Sequence, residues 1–244
     1  MDLSIVIPAY NEADKAPHDV EAAADFLLRE GMTGEILVVD DGSDDGTAEA
    51  AADTPVPAGV SRKVLRYTPN RGKGYAVRTG MLESAGEYAM FADVGLCVPF
   101  ENALRGLEPI RKGQCEIAHG SRKLAQSVLV RRQHPWRRFC SWAFRKVSGL
   151  MVKIPRNLSD TQCGFKVYRG DVARELYGAC RSHGFMFDIE ILLRALRKGY
   201  RVIEFPVEWR CDYDSRLHPT RNGAGAFSEL RRIKRRLKEE EKEV

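Results

Sequence analysis

Residues 35–47, EILVVDDGSDDGT, decide the fold. Ile36-Leu37-Val38-Val39 is a short apolar run with the β-branched enrichment of a buried strand, and Asp40-Asp41-Gly42-Ser43-Asp44-Asp45-Gly46 is a turn cluster leading into a helix over Thr47–Ala52. Upstream the pattern is the same. Leu3–Pro8 reads as a strand, and Ala16–Glu30 has helical spacing at Val20, Ala23, Ala24, Leu27 and Leu28. Downstream, Val64–Tyr67 predicts a third strand, followed by the Gly-rich NRGKG and a helix near Tyr75–Ser84. Glu87–Ala92 predicts a fourth strand, entering Asp93-Val94-Gly95. Strands alternating with helices imply an α/β fold, a mostly parallel sheet flanked by helices, with right-handed crossovers. Ligands bind such sheets beyond the carboxyl ends of the strands. Tyr10–Glu12, Asp40–Asp44 and Asp93 all fall at those ends, so they are expected to converge on one edge.

The second half is less regular. Glu116–Gly120 and Arg201–Val207 predict strands, Phe187–Lys198 a helix, and Glu229–Val244 a charged helical tail. Trp136–Val152 places Trp136, Phe139, Ala143, Val147 and Leu150 beside Arg137, Arg138, Arg145, Lys146 and Lys153, the pattern of a basic amphipathic helix.

A chain of 244 residues makes one large domain or two small ones. With 43% apolar and 30% charged residues the composition is globular, which excludes collagen-like, disordered and multi-span membrane classes. No run approaches the length of a transmembrane helix, and MDLSIVIPAYNE lacks the features of a signal peptide. The six cysteines form no C-x-x-C pair and the five histidines no H-x-x-x-H, so no zinc site is expected, and the thiols are expected reduced in a cytosolic compartment. The net charge is +5, yet ten Lys/Arg and no acidic residue fall between Arg122 and Arg156. That segment suits an anionic partner, whether phosphate, nucleic acid or lipid headgroup; a solvated basic helix face is the alternative.

Gly72-Lys73-Gly74 is neither a P-loop nor the dinucleotide fingerprint. What remains is a set of strand-end carboxylates with basic residues. Asp40, Asp41 and Asp93 are the types needed to accept from a base or ribose and to hold Mg²⁺ against a diphosphate. Alternatively, Asp40–Asp44 are turn formers and a helix cap.

The order Pro8-Ala9-Tyr10-Asn11-Glu12, Val39–Thr47, Asn70-Arg71-Gly72-Lys73-Gly74, Asp93, Gly120-Ser121-Arg122 resembles the inverting family 2 glycosyltransferases of GT-A fold. Asp160–Lys166, Phe187-Asp188-Ile189-Glu190 and Glu204–Trp209 resemble the dolichyl-phosphate β-glucosyltransferase group within that family. The resemblance covers roughly residues 1–217, a nucleotide-binding half to about 121 and an acceptor- and membrane-facing half from about 122, leaving 218–244 as the tail. It implies that Pro8, Ala9, Tyr10, Glu12 and Asp40 hold the nucleotide and that Asp41 accepts from the base. Lys73 and Arg78 would line the nucleotide side, and Asp93 would meet metal and diphosphate. Arg122 and Arg131 would meet phosphate oxygens, with Gln162, Asp188 and Glu190 at the sugar and reaction centre.

One departure matters. The family's D-x-D reads Asp93-Val94-Gly95 here, and Cys97 stands where a Gln often occurs. Mg²⁺ or Mn²⁺ would rest on Asp93, the diphosphate and water, or Arg and Lys carry the charge instead, or activity is lost. The resemblance implies glucose transfer from UDP-glucose to a polyprenyl, dolichyl-type phosphate. GDP-mannose or another UDP-sugar donor, or a non-catalytic nucleotide-sugar binder, are the alternatives. A polyprenyl phosphate is largely dianionic at pH 7, with a second pKa of about 6, so it needs no general base. A sugar hydroxyl acceptor would need one, and Asp188 is then the candidate. The helix over 136–153 would dock peripherally on the cytoplasmic membrane face, unless its apolar residues pack on the domain instead. A nucleic-acid partner is not expected, since no recognised motif is present.

Overall fold

The computed structural model describes residues 1–130, 152, 154–155, 157–210 and 219–242, with the backbone alone for 219–224. Strand β1 (Leu3–Ala9) is buried along its whole length and pairs in parallel with β2 (Gly34–Asp40) and β4 (Tyr88–Ala92). Such continuous apolar runs suit strands covered on both faces. β3 (Val60–Arg66) lies at the edge and is largely polar. The seven-stranded order is β3-β2-β1-β4-β7-β5-β8, with β5 at Ile117–Ser121, β7 at Phe165–Arg169 and β8 at Val202–Pro206. Only β7 runs against its neighbours β4 and β5. A short parallel pair, β6 (Val128–Leu129) with β9 (Glu208–Trp209), stands apart.

Helices cover both faces. On one lie α1 (Ala16–Arg29), α2 (Thr47–Asp53) and α4 (Ala103–Arg111), whose apolar residues join Leu3, Ile5, Ile36 and Val38. On the other lie α3 (Lys73–Glu83), α5 (Gly170–Ala179) and α6 (Phe187–Arg197), joining Val6, Leu37, Val39 and Phe91. The side chains of β1 divide between the layers by strand alternation. A last helix, α7 (Pro219–Glu240), packs on α6: Leu230, Ile233 and Leu237 meet Ile189 and Leu193. Full burial of each such side chain contributes roughly 1.5–3 kcal/mol.

The mostly parallel sheet matches the expectation from sequence. Strand β7 and helices α4 and α5 are additions to it. Pro109 lies inside α4 and Gly106 packs against the Phe205 ring, where an added Cβ would come within 2.8 Å. Two helix breakers thus hide a helix that tertiary packing holds. The basic helix expected over Trp136–Val152 lies outside the described residues except for Val152, which is buried against α6 and α7. Arg131 also lies outside them. The strand directions bring the ends of β1, β2, β4 and β5, and the start of β7, to one edge of the sheet.

Candidate active site

Two loops build the first wall. Asn11, in the left-handed region at φ 48°, turns the chain after β1. Its N–H donates to Ser43 Oγ (2.8 Å), the Glu12 N–H to Thr47 Oγ1 (2.8 Å) and the Ala13 N–H to Asp45 Oδ2 (3.1 Å). The Asp44 N–H returns to Asn11 Oδ1 (3.1 Å). Segments 10–13 and 43–47 are therefore one cross-braced unit. Pro8 and Ala9 are the buried end of β1, and the Ala9 carbonyl accepts from the Asp41 N–H (2.8 Å). Tyr10 emerges at the edge with 37% exposure, and Glu12 pairs with Lys15 at 3.2 Å.

The adjacent Asp40 and Asp41 part company. Asp40 is fully buried; Oδ1 accepts from the Ser43 N–H (3.0 Å) and hydroxyl, and Oδ2 faces Arg66 Nε at 3.4 Å. Asp40 thus forms the turn, and its Oδ2 has no hydrogen-bond partner among the described residues. Asp41 is also buried. It accepts from Tyr67 Oη (2.8 Å), Asn70 Nδ2 (2.9 Å), the Arg71 N–H (2.8 Å) and the Gly72 N–H (2.8 Å). A carboxylate offers about four acceptor positions, so the loop uses them all and leaves none for a base. In this arrangement Asp41 shapes the loop that delivers Lys73.

That loop meets residues 182–184 at backbone contact. Gly72 has φ 100°, and a Cβ there would lie 2.7 Å from the His183 carbonyl oxygen. A Cβ at Gly74 would lie 2.7 Å from both the Ser182 carbonyl oxygen and Phe187 Cβ. Arg78 does not share the site. Five residues beyond Lys73, it is about 140° around the helix. Its guanidinium donates to the carbonyls of Tyr177 (3.0 Å) and Gly178 (3.5 Å), near the end of α5, where a cation suits the helix dipole.

The centre is a network of alternating charge. Lys73 Nζ lies 2.5 Å from Asp93 Oδ1, and buried Lys166 Nζ lies 2.5 Å from Asp188 Oδ1 while also donating to the Cys163 carbonyl (2.9 Å). Burial would lower the Lys73 pKa, but Asp93 and Asp188 outweigh it and hold the ammonium above its ordinary value. Burial raises the Asp188 pKa against the pull of Lys166 and Lys73. Arg122 binds Asp160 as a fork, Nε at 2.7 Å and Nη2 at 2.8 Å, and its guanidinium lies 5.4 Å from the Trp209 ring centre. Burial raises the Asp160 pKa, yet Arg122 brings it down to about 2. Glu204 braces this corner, accepting from the Ser159 N–H (2.8 Å) and the Asp160 N–H (2.6 Å). Gln162 Nε2 is buried with no partner, a donor awaiting an acceptor. Glu190 is not at the reaction centre: it pairs with Arg194 (2.8 Å) and Arg236 (3.3 Å), tying α6 to α7.

Of the expected site residues, Asp93, Lys73, Arg122, Gln162 and Asp188 belong to this edge. The roles of Lys166, Asp160 and Asp19 are not evident from sequence. Asp19 is 1% exposed on α1 and accepts from the Gly95 N–H (2.8 Å) and the Leu96 N–H (3.1 Å), holding the loop after Asp93. Its sequence signal was an acid among Ala16, Val20 and Ala23, on the apolar face of the helix. Burial pushes its pKa from 3.8 up to about 7, despite those two donors. The folded state therefore binds the proton more tightly than the unfolded state. Its stabilisation is full below pH 3.8 and disappears as pH rises through about 7, on the order of 4 kcal/mol across that window. Urea unfolding of wild type and Asp19→Asn should show the wild-type advantage shrinking between these limits. A pH-independent difference would refute the shift.

The expected Mg²⁺ or Mn²⁺ fits these residues poorly. Asp93 Oδ1 already faces the Lys73 ammonium. A Cβ at Gly164 would lie 2.0 Å from Asp93 Oδ2, so the backbone closes on the carboxylate from that side. Gly95 supplies no second carboxylate, and its φ of 96° strains any side chain placed there. Among the described residues, no group of three His, Cys, Asp or Glu could hold a metal.

Known proteins share this architecture. A crystal structure of mannosyl-3-phosphoglycerate synthase from Rubrobacter xylanophilus superposes with a TM-score of 0.71 at 18% identity, over 99% of this chain and 75% of that one. Glucosyl-3-phosphoglycerate synthase from Mycobacterium tuberculosis, in complex with Mn²⁺, UDP and phosphoglyceric acid, gives 0.69 at 15% identity, over 95% and 76%. These likenesses establish the GT-A fold. Sequence relatives are nearer. Dolichyl-phosphate beta-glucosyltransferase of Dictyostelium discoideum is 31% identical over 95% of this chain and 73% of its own length. The Drosophila melanogaster protein of that name is 32% identical over 90% and 70%, and the Homo sapiens protein 31% over 89% and 70%. The glycosyl transferase family 2 model matches residues 4–177, and with relatives above 30% identity along most of its length, the chain belongs to that family.

Proposed function

We propose that this chain is an inverting glucosyltransferase that moves glucose from UDP-glucose to a polyprenyl phosphate of dolichyl type at a membrane surface. The observation that carries this reading is the identity to dolichyl-phosphate beta-glucosyltransferases, 30–32% along 85–95% of the chain in five eukaryotes. The acceptor phosphate oxygen forms a bond to the anomeric carbon as the bond from that carbon to the diphosphate breaks. UDP departs with the electron pair, and the configuration inverts. A phosphate dianion brings its own nucleophile, so the protein's tasks are alignment and stabilisation of the leaving group.

The geometry suits those tasks. Lys73 stands at the mouth of the Gly-rich loop with its charge maintained, Arg122 is fixed in orientation by Asp160, and Gln162 offers a buried donor. Arg131, within the basic run, is a second candidate for the acceptor phosphate. Val128, Leu129 and Val130 are 56%, 46% and 51% exposed within that run, an apolar strip suited to a peripheral membrane contact. Among the described residues, no helix is long and apolar enough to cross a membrane.

The test is a donor panel with a short polyprenyl phosphate, reading product by mass. Transfer from UDP-glucose should exceed that from GDP-mannose and other UDP-hexoses by at least about tenfold. Preference for another donor overturns the glucose assignment, and no transfer from any donor overturns the enzymatic reading.

A further inference from the structure

The disagreement at Asp93 leads further. We infer that the Lys73 ammonium, anchored on Asp93, stands in for a divalent ion and carries the charge of the donor diphosphate, so that this site binds a nucleoside diphosphate without metal. The inference deepens the proposed function and rests on its premise that a nucleotide sugar enters at this edge.

Three observations carry it. The first is the ion pair: Lys73 Nζ lies 2.5 Å from Asp93 Oδ1. Mg²⁺ binds carboxylate oxygen at roughly 2.0–2.1 Å, so ammonium and ion compete for one place on that oxygen. A dication on the remaining oxygen would face the ammonium across a single carboxylate, and like charges at that separation repel strongly. The second is the backbone after Asp93. Gly95 and Leu96 both take positive φ, 96° and 48°, and both N–H groups are bound by Asp19. Asp19 thus fixes a turn that presents no side chain where a second carboxylate would be needed. The third is the fate of the other carboxylates. Asp188 is paired with Lys166 and Asp160 with Arg122, while Asp41 is filled by its loop. None is left to complete a hard-cation shell, and each of these commitments is made within the protein.

Lys73 has what the substitute role requires. It sits where α3 begins, on a loop that Asp41 and the 182–184 backbone hold in one shape. Its side chain is 21% exposed. An ammonium has three donors, so Lys73 can meet phosphate oxygens while staying beside Asp93. Asp93 then plays toward Lys73 the part a carboxylate ligand plays toward a metal. It fixes the cation's position and does not touch the diphosphate.

The experiment is calorimetric titration of UDP, GDP and inorganic pyrophosphate, each in excess EDTA and in excess Mg²⁺. Wild type should bind UDP equally well in both, within about threefold. Lys73→Met should bind UDP at least tenfold more weakly in EDTA. Because it frees Asp93, it should recover part of that loss when Mg²⁺ is added. The wild-type comparison decides the matter alone if Lys73→Met fails to fold. A tenfold or larger rise in wild-type UDP affinity on adding Mg²⁺ overturns the inference and leaves the proposed function standing. GDP binding in EDTA without UDP binding keeps the inference and removes UDP-glucose as donor. If no nucleoside diphosphate binds in either condition, both fall.

Discussion

Asp41→Ala should weaken UDP binding by about a hundredfold and destabilise the protein by roughly 3–5 kcal/mol even without nucleotide. The cause is loss of a loop. Tyr67, Asn70 and the N–H groups of Arg71 and Gly72 all donate to this one buried carboxylate. Hydrogen bonds to a charged group contribute roughly 1.5–3 kcal/mol each, and backbone donors left buried without an acceptor are costly. Segment 67–72 also packs on the backbone at Gly42, where an added Cβ would sit 2.9 Å from the Asn70 nitrogen, so it has no room to relax inward. A released loop must be re-ordered by the ligand, and each 1.4 kcal/mol of that ordering is a tenfold loss in affinity. Asp41→Asn should behave almost as badly, because its amide nitrogen turns a donor toward donors. The two roles for Asp41 differ in one readout. A ligand of the base would weaken UDP binding and leave the unliganded protein as stable as before. Urea unfolding without nucleotide therefore decides, and unchanged stability in Asp41→Asn would return Asp41 to the base.

Asp40 and Asp41 show where sequence reading reaches its limit. Two adjacent acids at a strand end predict a polar edge, and the edge is there. Neighbouring strand residues point to opposite faces, so one acid turns to Ser43 and Arg66 and the other to the Gly-rich loop. Which acid faces which loop depends on β3 and the segment after it, and nothing local encodes that. Arg78 is a similar case: its type suits a phosphate, but the turn of α3 directs it to α5. The strands β1, β2 and β4 were legible because a buried parallel strand is an apolar run closed by turn residues. β7 was not. It enters the sheet antiparallel between β4 and β5, and is followed directly by α5, so no hairpin signal marks it. Lys166, the second residue of that strand, reads as a surface position by alternation. It is buried because Asp188 on α6 meets it across the layer.

That pair supports the second large effect. Lys166→Met should destabilise the protein by about 3–5 kcal/mol, a large part of a typical 5–15 kcal/mol total. The substitution strands Asp188 as a buried anion and removes the donor from the Cys163 carbonyl. Asp188→Leu alone should be similarly harmful, since it strands the ammonium against the Phe91 ring, 5.2 Å from its centre. The double variant should recover much of the loss, because apolar side chains of similar volume can replace a buried ion pair at little net cost. A double-mutant cycle should therefore give a coupling of at least about 2 kcal/mol, and simple additivity would show that the two charges do not depend on each other. The double variant also tests the chemistry. A general base contributes typically 10²–10⁴-fold, so its removal is easily seen. With a polyprenyl phosphate acceptor the double variant should retain turnover within about tenfold, because the dianion needs no base and Asp188 is engaged by Lys166 in any case. A loss of a hundredfold or more in a folded double variant would make Asp188 the base after all, and would point to an acceptor that must surrender a proton.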